Sequence, residues 1–384
     1  MKPLTTLPLC SLLFASFLCL ATVESPASVV DRNGVALRDG ALSIAASLAG
    51  EDARLSIDEG LQKIVEEELA QAQQALQAKK ITAILADPRT GEILAMACRP
   101  EPSRAEPQAA PASEALLFNF EPGSIFLTVA CAGFLKDGHG HEKIFCENGA
   151  WALGSKTIRD HKACGDLTPL EALVKSSNIG AGKMALKLGK EKFRETAGDF
   201  GFGRKAGIAL FDEQAGIVPP VEKLDDLTLA RMGMGQSVCV TPIQLLMAYA
   251  AIANGGLLLP PTLVLDPKAP LPTGVRILPE AIAGTISKAL TTDDMWALAR
   301  VEGLSVAGKT GTAQAMNPLG GYVNGQYVTS FVGYFPADNP KVICLVVVDQ
   351  ANVDAKLNYG GLTAAPIFSR IAAKAAAHLH ITNP

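Results

Sequence analysis

Ile81-Thr82-Ala83-Ile84-Leu85-Ala86-Asp87-Pro88-Arg89-Thr90-Gly91-Glu92-Ile93-Leu94-Ala95-Met96-Ala97-Cys98 is the stretch whose reading decides the fold. Two apolar runs flank a segment of turn residues, Asp87 to Gly91, and the pattern predicts a β-hairpin. On its N-terminal side, Leu61, Ile64, Val65, Leu69, Ala72 and Leu76 recur at helical spacing among Glu, Gln and Lys. That predicts a long amphipathic helix between Asp58 and Lys80, with Asp58 as its N-cap. On the other side, Arg99 to Ser113 is rich in Pro, Ala and Glu and reads as a surface loop. From about Leu116 the chain reads as mainly helical. Thr168-Pro169-Leu170-Glu171 and Thr241-Pro242-Ile243-Gln244 are both capping boxes with proline at the first helical position, and Asn254-Gly255-Gly256 ends the second helix. Strand patterns return at Leu304–Gly308, Val328–Tyr334 and Val342–Val348, and Thr363–Ala377 reads as a closing helix. Two early strands, a helical middle and three late strands predict an α+β fold. Its five-stranded antiparallel sheet is assembled from both chain ends, flanked by helices, with a helical subdomain inserted.

The chain has 384 residues, 48 % apolar and 19 % charged, with a formal net charge of −4. This is the composition of a folded protein with a sizeable core. No basic run calls for a nucleic-acid partner. After Lys2, the stretch from Leu4 to Val23 contains no charged residue and is about long enough to cross a bilayer as a helix. Residues 1–23 therefore read as a signal anchor or a cleaved signal peptide, and both send the rest of the chain out of the cytoplasm. Eight cysteines in a chain this long are not a disulfide framework. Cys98, Cys131, Cys239 and Cys344 sit in apolar surroundings and read as core residues. Cys146 and Cys164 flank a turn-rich stretch and are the pair that an oxidising compartment could join. No spacing calls for a metal, and no cofactor motif is present.

Three short motifs carry candidate chemistry: Glu121-Pro122-Gly123-Ser124-Ile125-Phe126-Leu127, Ser176-Ser177-Asn178 and Lys309-Thr310-Gly311-Thr312. Each alone is commonplace, because Ser-x-Asn usually caps a helix and Lys-Thr-Gly at a strand end usually turns. Their order is specific: a helix start, a loop between helices, and a strand before the last helix. In this combination the chain resembles the penicillin-binding transpeptidases and their relatives, the serine β-lactamases, which use Ser-x-x-Lys, Ser-x-Asn and Lys-Thr-Gly motifs. The resemblance runs from about Leu55 to the C-terminus. It includes Leu55-Ser56-Ile57-Asp58 with Leu61-Gln62, Thr90 to Met96, Gly235-Gln236 with Val240-Thr241-Pro242, and Ala253 to Gly256. It continues through Ala307 to Gln314 and Ser330 to Tyr334. The N-terminal segment and the long helical insertion favour the transpeptidase branch over the β-lactamases.

The resemblance implies acyl transfer. Ser124 would be acylated by the D-Ala-D-Ala end of a peptidoglycan stem peptide, and an amine from a second stem would take the acyl group. Ser176 would relay the proton to the leaving group, and Asn178 would hold the family's lysine and bind a substrate amide. Lys309 would receive the substrate carboxylate with Thr310 and Thr312 beside Gly311. The backbone N–H groups of Ser124 and Thr312 would form the oxyanion hole. The implied partners are stem peptides, β-lactams, the membrane and a glycan polymerase of a wall-synthesis complex. The implied location is the outer face of the bacterial inner membrane, as a single-pass protein.

Two departures stand out. A serine hydroxyl needs a neighbouring base, and the position one helical turn later shares its face. The family keeps a lysine there, whereas this chain has Leu127, and the next lysine, Lys136, lies well beyond one turn. Residues 24–54 also leave room only for a reduced pedestal before a transpeptidase domain at 55–384. The expectation is a penicillin-binding-protein-like factor of peptidoglycan synthesis whose turnover is put in doubt by Leu127. The alternative is a non-catalytic scaffold or regulator of the wall-synthesis complex.

Overall fold

The computed structural model describes residues 29–35, 37, 53–101, 113–208, 213–266, 268, 272–291, 298–317 and 319–383. The N-terminal segment 1–23 and most of the expected loop at 99–113 lie outside them. Among the described residues, no helix is long and apolar enough to cross a membrane.

A five-stranded sheet forms the centre. Its strands are β1 (Lys80–Ala86), β2 (Ile93–Arg99), β3 (Ala307–Met316), β4 (Tyr322–Phe335) and β5 (Val342–Asp349). The spatial order is β3-β4-β5-β1-β2, with every neighbouring pair antiparallel. The two ends of the chain therefore meet at the β5–β1 seam, as the sequence pattern predicts. Every residue of β5 is buried, because both faces of the sheet are covered. Val342, Cys344, Val346 and Val348 point to one layer, together with Phe331 and Phe335. Ile343, Leu345 and Val347 point to the other, together with Ile84, Val332 and Tyr334. This is the two-residue period of a strand, apolar on both faces.

The first layer holds helix α1 (Glu59–Leu76) and the closing helix, whose range is Ala364–His378. Asp58 caps α1 by accepting the Leu61 N–H at 3.0 Å, and Leu61, Val65, Leu69 and Ala72 supply its buried stripe. Glu68 is buried on the same helix and is bonded by Arg370 and Lys374 of the closing helix, at 2.6 Å each. The second layer is the helical subdomain. It contains α2 (Leu127–Lys136), α3 (Pro169–Val174), α4 (Asn178–Leu188), α5 (Lys190–Asp199), α6 (Asp226–Gly233), α7 (Pro242–Ala253) and α8 (Glu280–Leu290); the closing helix is α9. Both capping boxes are formed, at Thr168/Glu171 and Thr241/Gln244. Helix α7 is apolar on all sides and buried almost throughout, which is why it sits centrally against the sheet.

One strand differs from expectation. The run expected at 304–308 begins only at Ala307 and continues to Met316, so Lys309-Thr310-Gly311 lies inside an edge strand and not at its end. Gly308 and Gly311 look like turn residues but serve close approach. A Cβ on Gly308 would stand 2.6 Å from the Phe331 ring, and one on Gly311 would stand 2.7 Å from the Pro122 carbonyl oxygen. A small β unit within 144–167, absent from the expected helical run, includes a hairpin of Ala150–Leu153 with Lys156–Arg159. Cys98, Cys131, Cys239 and Cys344 are buried, as expected of core residues, and Cys146 and Cys164 are both free thiols.

Candidate active site

Ser124 lies in a short 3₁₀ turn, Gly123–Phe126, that leads directly into α2. Gly123 has φ +58, and a Cβ there would collide with the Thr312 carbonyl of β3. Its N–H donates to the Gly235 carbonyl at 3.0 Å. The backbones of the serine turn, β3 and the loop after α6 thus meet at contact distance, which a side chain on Gly123 would prevent. Behind the turn, the Tyr249 hydroxyl donates to the Ile125 carbonyl at 2.8 Å and shares a 2.5 Å hydrogen bond with the Thr128 hydroxyl. Leu127 is 0 % exposed and belongs to the main core.

Ser176 stands between α3 and α4 with φ +52, a left-handed conformation unusual for a residue with a side chain. Its hydroxyl accepts from Lys309 Nζ at 2.5 Å. Lys309 is 0 % exposed and pairs with Val332 across β3 and β4. The sheet therefore delivers the buried Lys309 side chain to the serine of the second motif. Ser177 caps α4, accepting the Gly180 N–H at 2.9 Å. The Asn178 side-chain amide donates to the Arg159 carbonyl at 3.0 Å. Thr310 is buried, Gly311 packs under Pro122, and the Thr312 hydroxyl accepts the Gly360 N–H at 3.1 Å. All three motifs thus converge on β3, which touches the Ser124 turn through Thr312 and the Ser176 turn through Lys309.

The sequence reading missed a polar cluster beside the Ser124 turn. Glu121 is buried and accepts from the Ser237 N–H at 2.7 Å and from the Tyr322 hydroxyl at 3.0 Å. The Tyr322 oxygen accepts in turn from Arg231 at 2.9 Å. Burial raises the Glu121 carboxyl above its ordinary range, although its hydrogen-bond donors oppose the shift. Burial and the nearby Glu121 charge push the Tyr322 phenol up to about 12. The only sequence signal was the Glu-Pro-Gly-Ser string itself. A cavity of about 610 Å³ lined by residues including Arg89, Asn254, Glu280 and Ser287 lies apart from the motif residues, none of which lines it. Among the described residues, no cluster of His, Cys, Asp and Glu is arranged to hold a metal ion.

The family model described as Penicillin binding protein transpeptidase domain matches residues 81–373. The peptidoglycan D,D-transpeptidase FtsI of Escherichia coli K12 is 32 % identical over 350 residues, covering 89 % of this chain and 58 % of the relative. Stage V sporulation protein D of Bacillus subtilis is 33 % identical over 367 residues, covering 89 % and 56 %. This chain thus spans somewhat over half the length of these curated relatives. Among solved structures, the apo transpeptidase domain of Burkholderia pseudomallei penicillin-binding protein 3 superposes with a TM-score of 0.77 at 30 % identity, covering 85 % of this chain and 97 % of that one. Penicillin-binding protein 3 of Mycobacterium tuberculosis, complexed with aztreonam, gives a TM-score of 0.77 at 28 % identity, covering 94 % and 89 %. With the β-lactamase/transpeptidase fold and a family model that matches residues 81–373, this chain belongs to the penicillin-binding protein transpeptidase family.

Proposed function

We propose that this chain is a penicillin-binding-protein-like factor of peptidoglycan synthesis. It binds the D-Ala-D-Ala end of stem peptides in the groove between the Ser124 turn, the Ser176 turn and β3, and its acyl-enzyme turnover is impaired. One observation carries the reading: Leu127 is fully buried at the base position, while Ser176 and Lys309 keep their 2.5 Å hydrogen bond.

The chemistry follows from the atoms available. Attack of Ser124 Oγ on the penultimate D-Ala carbonyl forms a C–O bond, and collapse of the adduct breaks the C–N bond to the terminal D-Ala. The serine proton must leave as attack proceeds, and the departing amine must gain one. Lys309 and Ser176 support carboxylate binding and the second transfer. A leucine cannot accept the first proton, and general-base assistance is worth about 10²- to 10⁴-fold. Binding needs the groove, whereas turnover also needs the base. The same leucine supports a second reading, in which the chain is a scaffold or regulator of a wall-synthesis complex that contains a glycan polymerase. In both, residues 1–23 act as a signal anchor or a signal peptide, and the transpeptidase domain lies on the outer side of the bacterial inner membrane.

The test is a titration of the full-length chain with diacetyl-L-Lys-D-Ala-D-Ala, followed by NMR. Saturable binding is expected, weakened by Lys309→Ala and absent for the L-Ala-L-Ala peptide. Equal response to both peptides would overturn the reading.

A further inference from the structure

The geometry points to Asp160 as the positioning residue of the Ser176 turn, a role that rests on the groove reading above. Asp160 follows the hairpin of Ala150–Leu153 with Lys156–Arg159, and its N–H donates to the Gly149 carbonyl at 3.1 Å. The hairpin therefore fixes where the carboxylate stands. One carboxylate oxygen accepts the Ser177 hydroxyl at 2.6 Å, and the other accepts the Ile179 N–H at 2.9 Å. The neighbouring Arg159 carbonyl accepts the Asn178 amide. Three consecutive residues, Ser177 to Ile179, are thus bonded to Arg159, the last residue of the hairpin, and to Asp160, which follows it.

A carboxylate at a helix start ordinarily does no more than stabilise the helix. Here the next residue back is Ser176, and two facts make its position demanding. Its φ of +52 is unfavourable for a residue with a Cβ and persists only where neighbours hold it. Its hydroxyl must also meet Lys309 Nζ, whose backbone is fixed in β3 by its pairing with β4. From the α3 side the turn is held by Ser176 N–H to Leu173 and Ser177 N–H to Ala172. Asp160 holds it from the α4 side. Without that carboxylate, the Ser177 hydroxyl and the Ile179 N–H lose their acceptors together, and the turn is free to carry Ser176 away from Lys309.

The test has two arms on the full-length chain. In the first, Asp160→Ala and Asp160→Asn are placed in a Leu127→Lys background, and penicillin acylation is resolved into pre-acylation affinity and the acylation rate constant. Misplacing a reacting group by about 1 Å costs about 10²-fold. Asp160→Ala is therefore expected to lower the rate constant by about that factor while affinity stays within about threefold. Asp160→Asn, which still accepts the Ile179 N–H, is expected to recover part of the loss. A purely structural role would lower the melting temperature and leave the rate constant of the folded protein at the parental value, which overturns the proposal. The second arm needs no turnover. The slowly exchanging ¹H–¹⁵N signal of the Lys309 ammonium is expected in the unmodified chain and lost in Asp160→Ala. Its persistence there overturns the proposal. If the Leu127→Lys chain fails to acylate, that result counts against the groove reading, and the ammonium signal alone decides for or against Asp160.

Discussion

Replacing Leu127 by lysine should lower stability and raise reactivity together. The leucine is 0 % exposed and packed in the main core. Full burial of such a side chain is worth about 1.5–3 kcal/mol, part of which a lysine stem retains. The introduced ammonium loses its hydration, and the effective penalty for an unpaired buried ion is several kcal/mol. On the proposed reading of the site its neighbours would be the Ser124 and Ser176 hydroxyls and the cationic Lys309, which is bonded to Ser176. Desolvation and the like charge both drive its pKa down from about 10.4, towards the neutral form that can accept a proton. A net loss of about 2–4 kcal/mol of stability is expected. The neutral amine should return general-base assistance of about 10²- to 10⁴-fold, equal to about 2.7–5.4 kcal/mol of barrier at 1.36 kcal/mol per decade. The assay is the second-order rate of labelling by a fluorescent penicillin, alongside denaturant unfolding. Ser124→Ala added to Leu127→Lys should abolish the gain. An unmodified chain that labels as fast as Leu127→Lys would refute the reasoning, and so would a gain that survives Ser124→Ala.

Gly123→Ala places a Cβ against the Thr312 carbonyl at φ +58 and should cost about 1–3 kcal/mol, read as a lower denaturation midpoint. Glu68 is buried, and burial alone would raise its pKa, but hydrogen bonds from Lys374 and Arg370 outweigh that and hold it below 4.5. A depressed carboxylate stabilises the fold fully above its unfolded pKa and loses that contribution as pH falls through the folded value. Unfolding curves taken from neutral pH downwards should show this acid limb below 4.5, and Glu68→Gln should flatten it. Tyr322→Phe leaves the buried Glu121 carboxylate with the Ser237 N–H and no phenol donor, which should cost about 1–3 kcal/mol in a urea titration.

Features set by neighbours in sequence were legible. The 81–98 hairpin announces itself by its turn, and the capping boxes at Thr168 and Thr241 are four-residue signals. Ser124, Ser176 and Lys309 are picked out through family resemblance alone, and the contacts that join them, Lys309 to Ser176 and Gly123 against Thr312, span separations that no local pattern encodes. What escaped depends on contacts across long separations. Gly308 and Gly311 imitate a turn, and only the Phe331 ring and Pro122 carbonyl explain them as close-approach positions in a strand. Glu121 meets Tyr322 at a sequence separation of 201 residues, so no local pattern could join them. Asp160 carries no local signal, because the hairpin before it lies in a stretch of helical pattern, and its partners are a hydroxyl and an amide 17 and 19 residues later.

The most direct measurement is intact-protein mass spectrometry of the unmodified full-length chain after prolonged incubation with excess benzylpenicillin. The expected result is an adduct that accumulates about 10²- to 10⁴-fold more slowly than in the Leu127→Lys chain, because leucine at 127 offers Ser124 no proton acceptor. A stoichiometric adduct mapping to Ser124, formed as fast as in the Leu127→Lys chain, would contradict the central claim that Leu127 disables turnover.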